Sequence, residues 1–119
     1  MDNVIDKTSE PVNVNNYDTD KIDILRTLGR PACLEQLAEE ASELSQAALK
    51  LARCLRDENP TPKNEQQCYD ALIEEYTDVI NCTEILEIEH DQEMLEYKRK
   101  RWKIRIKERY DNMLIKFIQ

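Results

Sequence analysis

Glycine is almost missing from this chain: Gly29 is the single one in 119 residues, alongside four prolines. With aliphatic and charged residues dominating, that scarcity is the composition of an all-helical protein. Histidine is nearly absent too, with one residue, and the four cysteines (Cys33, Cys54, Cys68, Cys82) contain no Cys-x-x-Cys pair. Zinc sites gather their ligands at tighter spacing, so composition argues against zinc. No apolar run approaches the roughly 18–20 residues needed to span a bilayer, and the polar N-terminus does not read as a signal peptide. No membrane association is therefore expected, and the cytoplasm is the expected compartment. Basic residues are outnumbered, 17 against 25 acidic, for a net charge of −8. Such a balance argues against a general nucleic-acid binder. One domain is the natural count for this length.

Residues 1–18 are polar, Asn-rich and aperiodic, with Pro11 among them, and read as a disordered or loosely docked N-terminal arm. Residues 19–119 read as one all-α domain. Thr19-Asp20 offers an N-cap for a short helix over Lys21–Leu28, which Gly29 stops. A first long helix is expected from Pro31 to Arg56, with Leu37, Ala41, Leu44, Ala48, Leu51 and Leu55 as its apolar stripe. Asp57 to Pro62, with two prolines and Asn59, breaks it. A second long helix is expected from Asn64 to His90, with Leu72, Tyr76, Val79, Thr83 and Leu86 buried. Asp91 can cap a third, from Gln92 to Ile115, carrying Leu95, Trp102, Ile106 and Met113 on one side. Its other side is basic, from Lys98 to Arg109. Cys54 and Cys68 flank the hairpin loop and could approach each other; free thiols acting as small hydrophobes are the expectation.

Two matched carboxylate pairs stand out: Glu40 with Glu43 on the first long helix, Glu75 with Asp78 on the second. Residues three apart on a helix are neighbours on one face. Packed antiparallel, the two helices would bring all four acids to one spot, beside rather than within the apolar stripes. Crowded carboxylates repel unless a cation sits among them. Oxygen-only ligation suits a hard ion: Mg²⁺ first, with Mn²⁺ or Ca²⁺ as substitutes. In so acidic a chain such spacings also arise by chance; Glu84, Glu87, Glu93 and Glu96 supply them and are given no function. The chosen pairs differ in being set among apolar and small residues.

The run Glu39-Glu40-x-x-Glu43, followed by Glu75-x-x-Asp78, resembles the signature of the MazG-like nucleoside triphosphate pyrophosphohydrolases, an all-α superfamily. Gln36-Leu37-Ala38 leads into the first acids, and Leu44 to Leu51 continues that helix. Glu96-Tyr97-Lys98-x-x-Arg101-Trp102-x-x-Arg105 is similar to the basic third helix of short, phage-type members. The likeness covers about residues 22–110. It departs in one place, a longer stretch between Glu43 and Glu75 through the insert around Asp57–Gln67, which leaves helix pairing intact.

The resemblance implies a metal-dependent hydrolase that splits a nucleoside or deoxynucleoside triphosphate into monophosphate and pyrophosphate. A purine deoxynucleotide such as dGTP is among the substrates of such relatives, in a host cytoplasm if the gene is a phage's. Glu40, Glu43, Glu75 and Asp78 would be the metal ligands and Glu39 the group that orients or deprotonates water. Lys98, Arg101 and Arg105 would hold distal phosphates, with Lys50, Asn81 and Gln36 as further substrate contacts. A helical hairpin and a third helix would complete a four-helix-bundle core on forming a homodimer or a dimer-of-dimers tetramer. Two other classes compete: a non-catalytic helical interaction module, and a regulator that binds nucleic acid through its basic helix.

Overall fold

A computed structural model of the chain describes residues 14–58 and 64–118, and all of its regular structure is helical. Four helices follow one another among these residues: α1 Val14–Leu28, α2 Arg30–Arg56, α3 Glu65–Ile85 and α4 Gln92–Ile118. The chain divides into two compact units, Met1–Ile88 and Glu89–Gln119. None of the helices is long and apolar enough to cross a membrane.

α1 begins at Val14, ahead of the expected start, so Thr19 and Asp20 lie inside the helix rather than capping it. No glycine or proline interrupts residues 14–28, and nothing stops the helix before Gly29. The rest of the proposed N-terminal arm, residues 1–13, lies outside the described residues. Gly29 joins two helices at once. Its N–H donates to the Leu25 carbonyl at 2.8 Å, closing α1, and its own carbonyl accepts from the Cys33 N–H at 3.1 Å, opening α2. It does so at φ 87 and ψ 156, a backbone state open essentially to glycine alone.

α2 and α3 pack together in one hairpin. α2 closes on Asp57 in the left-handed conformation, with the Asp57 N–H bonded to the Cys54 carbonyl and the Glu58 N–H to that of Arg53. That pair of bonds is a Schellman ending. α3 opens on a capping box: the Asn64 side chain accepts from the Gln67 N–H at 2.8 Å, and the Gln67 side chain accepts from the Asn64 N–H at 3.0 Å. α3 stops at Ile85, short of the expected His90. Glu87 turns left-handed at φ 57, and its N–H and that of Ile88 return to the Glu84 and Thr83 carbonyls in a second Schellman ending. Leu86, fully buried, anchors that turn, and Arg30 Nη2 donates to its carbonyl at 3.4 Å from the start of α2.

The seam of the hairpin differs from the expected stripes. On α2 the buried and half-buried line is Cys33, Leu37, Glu40, Leu44, Ala47, Leu51 and Cys54, at alternating gaps of four and three. Ala41, Ala48 and Leu55, expected inside, are exposed. On α3 the line is Cys68, Leu72, Glu75, Val79, Cys82 and Leu86, and Tyr76 stands outside it. Leu37, Leu44, Leu51, Leu72, Val79 and Leu86 are common to the expected and observed lines, and only the contacts between them move back by one residue, so each buried face turns by roughly 50°. A line of small side chains, such as Cys33, Ala47, Cys54 and Cys68, lets the helix backbones approach more closely than a line of leucines would. Apolarity alone pointed to the neighbouring positions.

α4, in the second unit, starts as expected, with Asp91 Oδ1 accepting from the Met94 N–H at 3.0 Å, and runs to Ile118. All its side chains are exposed, including Trp102 at 66% and Met113 at 61%.

The backbone states at the two turns yield a stability prediction. Gly29→Ala should lower unfolding free energy by about 1–3 kcal/mol. The added Cβ meets only Pro31 Cδ, at 4.0 Å, so the loss would come from φ rather than from a clash. Glu87→Gly should act oppositely, by about 1 kcal/mol, because it relieves a left-handed residue. Urea unfolding followed by helical circular dichroism measures both; equal midpoints for parent and Gly29→Ala would contradict the assignment.

Candidate functional site

Because Glu40 and Glu75 occupy seam positions, their carboxylates are held against the opposite helix. One oxygen from each of Glu40, Glu43 and Glu75 lies within 4.8 Å of the other two. Glu40 and Glu75 are half-buried, while Glu43, one turn on from Glu40, is exposed. Gln36, a turn before Glu40, donates Nε2 to Glu40 Oε2 at 2.6 Å and to Glu39 Oε1 at 3.5 Å. Gln36, a predicted substrate contact, is therefore engaged with the acids of its own helix.

Glu75 Oε1 is buried and has no hydrogen-bond partner. A carboxylate oxygen taken from water without a partner is costly and needs a counter-charge or a proton. The crowding is felt at Glu43, whose carboxyl is held above its usual range. Repulsion from Glu40 is the main cause, followed by desolvation, then Glu75 through its charge and a shared hydrogen bond, and last Glu39. The donors gathered here are all carboxylate oxygens, the kind a hard cation takes and a soft metal does not.

Beside the carboxylates, a groove of about 320 Å³ runs between α2 and α3, lined by Glu43, Gln46, Ala47, Lys50, Cys68, Ala71 and Glu75. Lys50 thus stands on the same groove as the acids, as its spacing of seven from Glu43 implied. Ala47 and Ala71 both line it, and their small side chains leave space that larger ones would fill. Such a groove can admit an anion to Lys50 while presenting carboxylates at one end.

The structure brings together three of the four predicted ligands. Asp78 remains outside the group; it lies half-buried one turn further along α3, where its charge and that of Glu40 act on the Cys82 thiol. The Cys82 thiol is pushed up in pKa by burial first, then by Glu40, Cys33 and Asp78. Glu39 is exposed at the rim, and Asn81 is exposed on α3. Lys98, Arg101 and Arg105 belong to the second unit; there Arg101 stacks over the Tyr97 ring at 5.7 Å, and Lys107 pairs with Asp111 at 2.9 Å. Sequence reasoning missed Gln46 and Cys68 as groove-lining residues. Gln46, three residues after Glu43, carried a usable signal in its helical spacing; Cys68 carried none without the helix pairing.

No protein-family model, curated protein or solved structure matches the chain in comparison with them.

The raised Glu43 carboxyl gives a pH prediction with a definite sign. In the folded protein it keeps its proton to higher pH than in the unfolded chain, so folding takes up protons between the two values. Without added metal, stability should therefore rise as pH falls through the carboxylate range. Glu43→Gln removes one repelling charge and should melt above the parent at neutral pH, with the difference closing by about pH 4. Melting curves of both proteins in chelator across that range are the check; a variant that melts lower at neutral pH would refute the repulsion.

Proposed function

We propose that this chain is a metal-dependent nucleoside triphosphate pyrophosphohydrolase, cleaving between the α and β phosphates to leave a monophosphate and pyrophosphate. The observation that carries the reading is the convergence of Glu40, Glu43 and Glu75, with one carboxylate oxygen of each within 4.8 Å of the others. The signature Glu39-Glu40-x-x-Glu43 with Glu75-x-x-Asp78, similar to that of the MazG-like enzymes, supports it. Glu40, Glu43 and Glu75 would hold Mg²⁺ or Mn²⁺, with Asp78 able to join by a change of rotamer. A divalent ion, when bound, neutralises phosphate oxygens and lowers the pKa of a bound water. Glu39, at the exposed rim one turn before Glu43, is suited to accept the proton of the attacking water. Lys50 offers the groove's positive charge to a phosphate oxygen. On α4, Lys98, Arg101 and Arg105 form a cationic row of the sign that a triphosphate needs. The reaction acts on the nucleotide pool, with a purine deoxynucleotide such as dGTP as the first substrate to try.

Self-association belongs to the same reading. The hairpin leaves the large apolar side chains of Leu34, Leu49, Leu55, Tyr69, Ile73 and Tyr76 exposed. A homodimer or dimer-of-dimers tetramer that completes a four-helix bundle would cover it. The rival reading, a non-catalytic helical interaction module, draws on the uncovered apolar side chains of α4.

Pyrophosphate release across ribo- and deoxynucleoside triphosphates separates these. Activity should need Mg²⁺ or Mn²⁺, stop with chelator, and fall to background in Glu43→Ala and Glu75→Ala while helical content is kept. In ¹⁸O water the label should enter the monophosphate and not the pyrophosphate; a nucleoside diphosphate as first product would overturn the mechanism. Arg101→Ala should weaken triphosphate binding and leave metal affinity nearly unchanged. Sedimentation at micromolar concentration should give a dimer or tetramer, and a stable, fully folded monomer would remove the oligomer from the proposal.

A further inference from the structure

All four cysteines of the chain lie on the α2–α3 seam, and they meet in two pairs across it. Cys33 and Cys82, both buried, adjoin at one end of the hairpin, where the charge of one thiol acts on the other. Cys54 and Cys68 take seam positions on either side of the loop at the other end, near enough for the charge of one thiol to act on the other. All four are free thiols. The pairs differ in access. Cys54, in the last turn of α2, is half-buried, whereas Cys68, in the first turn of α3, is buried.

We propose that Cys54 and Cys68 form a reversible disulfide across the seam, made by exchange with a low-molecular-weight disulfide, with Cys54 attacking first and Cys68 resolving. The Cys54 thiolate attacks one sulfur of the small disulfide and expels one thiol, leaving a mixed disulfide on Cys54. The Cys68 thiolate then attacks Sγ of Cys54 and expels the second thiol. Two protons and two electrons leave the protein, and the small disulfide is reduced to two thiols. Access sets the order: an external reagent can reach the half-buried sulfur, and the buried one is reached by its neighbour. The Cys54 thiol is held above its usual pKa by burial and by Cys68, then by Glu65 and Asp57. A thiol of that kind exchanges slowly, so the pair stays reduced until a disulfide accumulates. Once formed, the bond closes the loop between the two helices and restricts the unfolded chain. It also fixes the wall that Cys68 contributes to the groove. None of this depends on the chemistry assigned to the carboxylates.

Full-length reduced protein incubated with oxidised glutathione, alkylated in denaturant and mapped by peptide mass gives the test. The expected product is two hydrogens lighter, carries a Cys54–Cys68 linked peptide, and leaves Cys33 and Cys82 fully alkylated. Its melting temperature should rise and return to the starting value with dithiothreitol. Cys68→Ser should stop at glutathione on Cys54, and Cys54→Ser should take up none at either position. The parent protein alone keeps the proposal falsifiable if a variant fails to fold. Lasting glutathione on Cys54 in the parent, linkage chiefly between chains, or a Cys33–Cys82 bond formed instead would each overturn it.

Discussion

Packing of α2 against α3 is the interaction on which the rest of the described structure depends. Among the described residues the buried apolar ones are Cys33, Ala47, Leu51, Cys68, Cys82 and Leu86, and each belongs to this hairpin or to the turn that ends it. With so small an interior, register cannot be held by bulk. It is held by small side chains that let the helices approach, by the capping box at Asn64, and by two Schellman endings that stop each helix at a defined residue. Leu86 and the Arg30 bond to its carbonyl tie the far end.

The same register sets Glu40 and Glu75 into the seam, and the crowding is felt at Glu43, whose carboxyl is held above its usual range by Glu40 first. Charged groups at a helix–helix contact lose solvation and repel each other. The cost is limited because Glu43 remains exposed, where water screens it. Gln36 offsets part of it by bonding Glu40. What remains uncompensated is the Glu75 oxygen. Sites of that kind, strained by their own charge and opening on a groove with a lysine, are where ligand chemistry is commonly found.

α4 follows a different logic. Its long exposed surface carries basic residues and aromatic and aliphatic ones together, and it holds its helical form by local means: the Asp91 cap, the Arg101–Tyr97 stack and the Lys107–Asp111 pair. Each is worth little alone. A helix of this length persists through its many backbone bonds, while its apolar side chains stay available for burial.

The sequence by itself determined the helical class, the ends of α2 to within a residue, the starts of α3 and α4, and the spacing of the acids Glu40, Glu43 and Glu75 that the structure gathers. Those features are local. Helix period, a proline pair, an Asn or Asp cap and Glu-x-x-acid spacing act within one turn or two. The end of α3 was misjudged because a left-handed Glu87 leaves no mark in composition, glycine being the usual signal. Which face of each helix turns inward was decided only by the tertiary structure. Adjacent positions such as Ala41 and Glu40, or Tyr76 and Glu75, differ by one residue along the chain, and apolarity favours the wrong member of each pair. Only the mutual approach of two backbones selects the small-residue line, and with it the carboxylate cluster, the exclusion of Asp78 from it, and the meeting of Cys54 with Cys68.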